Sequence, residues 1–156
     1  QALVDEGLVS WVKYAIVRED TAKDDYLRKL VDLVDPKIVV SGIGEQPAII
    51  HLRDFGVQSF TSGCVCIAPS LSMDMLRALK ASDHETAGTI RQTFKPLEDL
   101  RNAINPIRVL HAAMGEAGIA DTGPILPLLH EVSETQRIDI AASANELISH
   151  NQTVAA

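Results

Sequence analysis

The sequence has only two cysteines in 156 residues, Cys64 and Cys66, one residue apart in "GCVCIAP". Alternate strand positions hold two thiols badly for a disulfide, so a crosslinked scaffold is excluded and a reducing, cytoplasmic setting is expected. No second Cys/His pair lies at ligand spacing, so no metal site is expected either. Apolar runs are short. None approaches the roughly 20 residues that a membrane-spanning helix needs. No charged-then-apolar leader opens the chain, which points away from secretion. Cations are outnumbered, 14 Lys and Arg against 21 Asp and Glu, for a net charge of −7. That balance argues against a nucleic-acid backbone or an anionic membrane surface as partner. Internal repeats and low-complexity segments are absent.

What remains is an ordinary globular composition, 46% hydrophobic and 22% charged, in a chain long enough to bury a sizeable core. The first residue is Gln1, and the expectation is a piece of something longer.

The opening third alternates strand and helix. Residues 8–16, rich in Val, Ile, Trp and Tyr, read as a strand. "DDYLRKLVDLVDP" reads as a helix, with Asp24 and Asp25 at its N-terminus and Pro36 closing it. "KIVVSG" is a short buried strand, "EQPAIIHLRDFG" a helix ending at Gly56, and "VQSFTSG" a third strand. Strand centres spaced by about 20 to 26 residues suit right-handed crossovers in a parallel sheet. From Pro69 onward the pattern is helical. Ser70 or Ser72 is the expected cap of the first helix. Pro96 is expected to kink or divide the second. Asn105 caps a third with Pro106 at its first position, "DTGPILPLLHEV" is a loop, and Ser133 opens the last helix.

One residue breaks the first strand's pattern. Lys13 stands between Trp11–Val12 and Tyr14–Ala15–Ile16. Alternation puts Val9, Trp11, Lys13 and Ala15 on one face and Ser10, Val12, Tyr14 and Ile16 on the other. The second set suits a layer of helices, so Lys13 points toward whatever the sheet encloses. A lysine there either snorkels from a strand end, pairs with a carboxylate, or serves as a partly neutral amine that attacks a carbonyl. The residues of the strand leave these open.

"VSWVKYAIV", "VVSGIGEQPAIIHLRDFGVQSFTSGCVCIAP" and "INPIRVLHAAMGEAGI" follow in that order. Together they resemble the second half of the dihydrodipicolinate synthase/N-acetylneuraminate lyase superfamily. The resemblance implies an α/β fold of the (β/α)8 TIM barrel type, here the last three βα units, strands six to eight, followed by C-terminal helices. It implies a class I aldolase or dehydratase, a lyase that holds a 2-oxo acid such as pyruvate as a covalent imine with no other cofactor. By position Lys13 falls on the Schiff-base lysine, Gly42 on a glycine that leaves room for substrate, and Thr61 and Ser62 on the pocket-lining end of strand eight. The sequence differs from the family at Trp11 and Tyr14, where a glycine and an acidic residue are usual. A full barrel needs about 250 residues. The implied partners are therefore the N-terminal half of the barrel, which carries the family's threonine pair and proton-moving tyrosine, and further copies in a dimer or tetramer. Alone, the chain is expected to be inactive. The implied division is barrel over 1–69, last barrel helix and helical region over 70–150, and a tail over 151–156.

Other signals are weaker. "SGIGEQP" either cradles an anion or is an ordinary strand-to-helix turn. "REDTAKDD" is a solvated loop or one whose Arg18 meets a carboxylate. Each of the five histidines is expected at the surface or packed on a helix. The alternative to the lyase is a non-catalytic α/β module that binds a small anion or a partner protein.

Overall fold

The computed structural model describes residues 1–125 and 127–154. A short helix, α1 (Ala2–Asp5), precedes strand β1 (Val12–Tyr14). Helix α2 (Asp25–Leu33) leads to β2 (Val39–Ser41), and α3 (Glu45–Phe55) leads to β3 (Ser59–Phe60). The strands form one parallel sheet in the order β1-β2-β3, the pairing that the crossover spacing suits. β1 is much shorter than the 8–16 run expected, because it has a neighbour only on its β2 side among the described residues. Four helices follow: α4 (Pro69–Lys80), α5 (His84–Ala103), α6 (Pro106–Glu116) and α7 (Glu134–Val154).

The chain folds as two compact units. Gln1–Ser62 and Met75–Gly88 make the first; Gly63–Asp74 and the residues from Thr89 onward make the second. Tyr14, Leu27, Val39, Phe55 and Val57 form the core of the first unit. The second packs Ile67, Phe94, Leu97, Val109, Ile140 and Leu147.

Local chemistry sets most helix ends. The Asn105 side chain accepts from the backbone N–H groups of Ile107 and Arg108, and Pro106 occupies the first helical position. Ser133 and Gln136 cap reciprocally, each side chain accepting the other's backbone N–H. Helix α4 departs from expectation. It starts at Pro69, so neither Ser70 nor Ser72 is its cap; Asn151, 80 residues away, accepts from the N–H groups of Ser70 and Leu71. Pro96 does not divide α5. A mid-helix proline costs roughly 3 kcal/mol, but Phe94 and Leu97 beside it are wholly buried and hold the helix in place. Residues 151–154 of the expected tail continue α7, while 155–156, like residue 126 of the expected loop, lie outside the described residues.

On the helix-covered face of the sheet a buried polar network ties β1 to the loop after it. The Tyr14 hydroxyl donates to Asp24. Asp24 also accepts from Arg18 Nε at 3.0 Å and from the backbone N–H of Leu27 at 2.9 Å, which makes it the cap of α2. Burial pushes the Tyr14 phenol up to about 12, and the Asp24 charge adds to the effect. Burial alone would raise the Asp24 carboxyl, yet the hydrogen bonds from Arg18, Tyr14 and Leu27 hold it below the usual range. Beside it, Ser41 Oγ and His51 Nδ1 share a hydrogen bond of 2.8 Å. His51 is 1% exposed, packed edge-on against Tyr14 and Phe55, and its Nε2 has no hydrogen-bond partner among the described residues. Burial lowers its proton affinity below the ordinary 6.5, with only partial opposition from Asp24.

Both groups make the first unit acid-labile. A depressed carboxylate stabilises above its unfolded range and loses that contribution as pH falls through its folded value. A depressed histidine acts in the same sense, because below 6.5 the unfolded chain takes up a proton that the fold resists. Urea midpoints are expected to begin falling near pH 6.5, and His51→Gln to flatten that first limb. Asp24→Ala, which removes a cap and leaves Tyr14 and Arg18 unpaired, is expected to cost about 3 kcal/mol at neutral pH.

Candidate active site

The opposite face of the same strands carries the lysine. Val12, Tyr14, Val39 and Ser41 occupy the helix-covered side, so the register pairs Lys13 with Val40 and Val40 with Ser59 on the other. Lys13 thus lies on the face expected from alternation, but it is exposed rather than enclosed. Trp11 is also open to solvent, at 56%.

The lysine stem lies against Gly42. A Cβ placed on Gly42 would sit 2.7 Å from both Cγ and Cε of Lys13 and 2.9 Å from the carbonyl oxygen of Tyr14. The room this glycine leaves is therefore taken by the lysine itself and by the β1 backbone. Gly42 N–H donates to Tyr14 O at 2.7 Å, carrying the β1–β2 ladder past the strand ends. Thr61 continues it: its N–H donates to Ser41 O at 2.7 Å and its carbonyl accepts from Gly44 N–H at 3.0 Å. Lys13, Gly42 and Thr61 are thus joined across the carboxyl ends of three adjacent strands, the end at which barrel enzymes place their chemistry.

Ser62, which follows Thr61 beyond the end of β3, is half-buried. Its hydroxyl donates to Glu45 Oε2 at 2.5 Å. Glu45 is wholly buried as the first residue of α3, where the helix dipole favours a carboxylate. The preceding Gly44 has φ 106°, a backbone conformation that side chains resist. The "SGIGEQP" turn is therefore a strand-to-helix connection whose helix end holds the protein's own carboxylate. Arg18 similarly meets a carboxylate from within its loop, Asp24. Glu45, Ser59 and Val40 escaped the sequence reading. Glu45 looked like a routine first-turn acid, and nothing local signals its burial.

Among the described residues no cluster of three or more His, Cys, Asp or Glu side chains could hold a metal ion. Cys64 is buried and Cys66 exposed, neither in a disulfide, and the two lie in a single 3-10 turn (Cys64–Cys66) rather than at the alternate strand positions expected. No helix among the described residues is long and apolar enough to cross a membrane.

Gly42→Ala is expected to destabilise the protein by about 2 kcal/mol, since the Tyr14 carbonyl cannot retreat without opening the ladder. The check is a urea midpoint combined with the reactivity of Lys13 toward an amine-directed acylating reagent. The displaced lysine is expected to react at an altered rate while the other lysines do not.

No protein-family profile matches the chain, and no curated protein does. Among solved structures, the dihydrodipicolinate synthase of Bacillus clausii matches with a TM-score of 0.76 and 25% identity. The match covers 97% of this chain but 49% of that one. The chain therefore spans about half the length of the enzyme it resembles. The similarity read from the sequence extends to three dimensions, and a small α/β unit of three parallel strands and their helices is consistent with part of a barrel.

Proposed function

We propose that this chain is the second half of a (β/α)8 Schiff-base lyase, contributing strands six to eight, and that Lys13 is its nucleophile. The observation that carries the reading is the seat of Lys13. It is exposed on the face opposite Tyr14, laid over Gly42 at the carboxyl end of the strands, in a chain similar to half of a dihydrodipicolinate synthase. The substrate class is a 2-oxo acid of the pyruvate type. Lys13 Nζ attacks the ketone carbon, the carbinolamine loses water, and a protonated imine forms. That imine accepts the electron pair of the adjacent carbon when a bond there breaks, or lends it as an enamine when one forms. Aldol cleavage, aldol condensation and sugar-acid dehydration all use this step.

The neutral amine is the nucleophile, and an enclosed, drier setting favours it. With Lys13 exposed here, that enclosure has to come from the remaining strands. The groups that bind the substrate carboxylate and move protons belong with them. Thr61 contributes through its backbone to the shape of the strand ends, whereas Ser62 steadies Glu45. Assembly into dimers or tetramers, as the family resemblance implies, is part of the same proposal.

The complete protein, incubated with pyruvate and borohydride and digested, is expected to carry one reduced adduct, on Lys13. Lys13→Ala and Lys13→Arg are expected to abolish the adduct and to bring turnover down to the uncatalysed background. An adduct on another lysine, or none with any 2-oxo acid, would falsify the assignment and favour a non-catalytic binding module.

A further inference from the structure

At the opposite end of the sheet from Gly42 and Thr61, the first unit holds a concavity. Its volume is about 430 Å³, within the range of small-ligand sites. Val57, which leads into β3, and Leu79 of α4 line it and are buried. The rim is polar, with two cationic side chains, Arg53 at the end of α3 and Lys80 at the end of α4, the imidazole of His84 at the start of α5, and Gln58 and Ser82 between them. This concentration of donors is unexpected on a chain of net charge −7.

The nearby carboxylates are occupied. Asp54 accepts from Arg53 Nε and Nη2 at 2.6 and 2.9 Å, which leaves the other guanidinium nitrogen available. Asp83 accepts from the backbone N–H of Thr86 at 3.0 Å as the cap of α5. Lys80 makes no ion pair among the described residues. Buried Nδ1 of His84 has no hydrogen-bond partner among them. Ser82 has φ 59°, the left-handed conformation that glycine or asparagine normally supplies after a helix. A serine kept there at a cost in strain brings a hydroxyl to the rim.

We propose that this cavity binds a compact organic anion, a phosphate or carboxylate on a short carbon skeleton. The acid group meets Lys80, His84 and the free edge of Arg53; Ser82 and Gln58 add neutral hydrogen bonds; the carbon chain lies on Val57 and Leu79. Arg and Lys together suit a multi-oxygen anion, one by its planar fork and the other as a point charge. The site lies within the first unit and is independent of the imine chemistry assigned to Lys13.

Amide and side-chain NMR spectra of the complete protein, titrated at constant ionic strength with inorganic phosphate, glycerol 3-phosphate and succinate, test the proposal. The expected result is saturable binding of at least one probe, with shifts centred on Gln58, Ser82 and His84. Glycerol 3-phosphate binding more tightly than inorganic phosphate assigns the apolar floor to the ligand's carbon chain, and succinate as the best binder identifies a carboxylate site. Lys80→Ala is expected to weaken binding about tenfold without lowering the Tm, the loss of one charge-assisted hydrogen bond. Ser82→Gly is expected to raise the Tm while weakening binding, a pair of effects that a purely structural serine would not give. Absence of saturable binding, affinity unchanged in Lys80→Ala, or shifts spread over unrelated basic residues overturns the proposal.

Discussion

A missing methyl group at Gly42 decides how close β1 and β2 come at their carboxyl ends. The space a side chain would fill already holds the Lys13 stem and the Tyr14 carbonyl, and the Gly42 N–H is bonded to that same carbonyl. Two requirements thus meet at one position. The ladder needs a backbone approach that only glycine permits, and the lysine needs a surface to lie on. Any larger residue separates the strands or moves the amine, so the geometry of the candidate nucleophile is inseparable from the pairing of the sheet.

The two faces of β1 answer to different chemistry. Toward the helices, Tyr14 is fixed by Asp24, which is in turn charged, capped onto α2 and held by Arg18. Ser41, the register partner of Tyr14, is fixed by His51. Adjacent residues cannot rotate independently in a strand. Locking Tyr14 on one face therefore aims Lys13 at the other. Polar groups buried under a sheet are expensive unless satisfied, and these supply positional precision in return for a dependence on pH.

Much of this was legible in the residues. Alternation alone put Lys13 and Tyr14 on opposite faces, and the βαβ spacing suited a parallel sheet. Asn105–Pro106 and Ser133 are local signals of helix starts, and both helices begin where they were expected, with Gln136 completing the Ser133 cap. What could not be read depends on distant partners. Asn151 caps α4 from 80 residues away, so the nearby serines looked like the better choice. Glu45 and His51 are buried by the layers around them, and nothing in "EQPAIIHLRDF" separates them from exposed helix residues. The family resemblance implied that Gly42 leaves room for substrate, while in the structure the Lys13 stem and the Tyr14 carbonyl lie against it.

The open side of the sheet bears on what the proposed lyase requires. Leu3, Leu8, Trp11, Ile16 and Val17 are all exposed, a concentration of apolar side chains within the first 17 residues. Single exposed apolar residues are commonplace, but several within the short stretch that carries β1, whose strand neighbour among the described residues is β2 alone, leave apolar area that water disfavours by about 25 cal/mol per Å². On the proposed reading, strands added beside β1 would pair its outer edge and bring a wall up to Lys13 together. The same event that completes the sheet would then remove water from the amine. On the proposed reading, burial of the nucleophile and closure of the barrel are one process, and half of the fold holds the reactive group without the setting that makes it react.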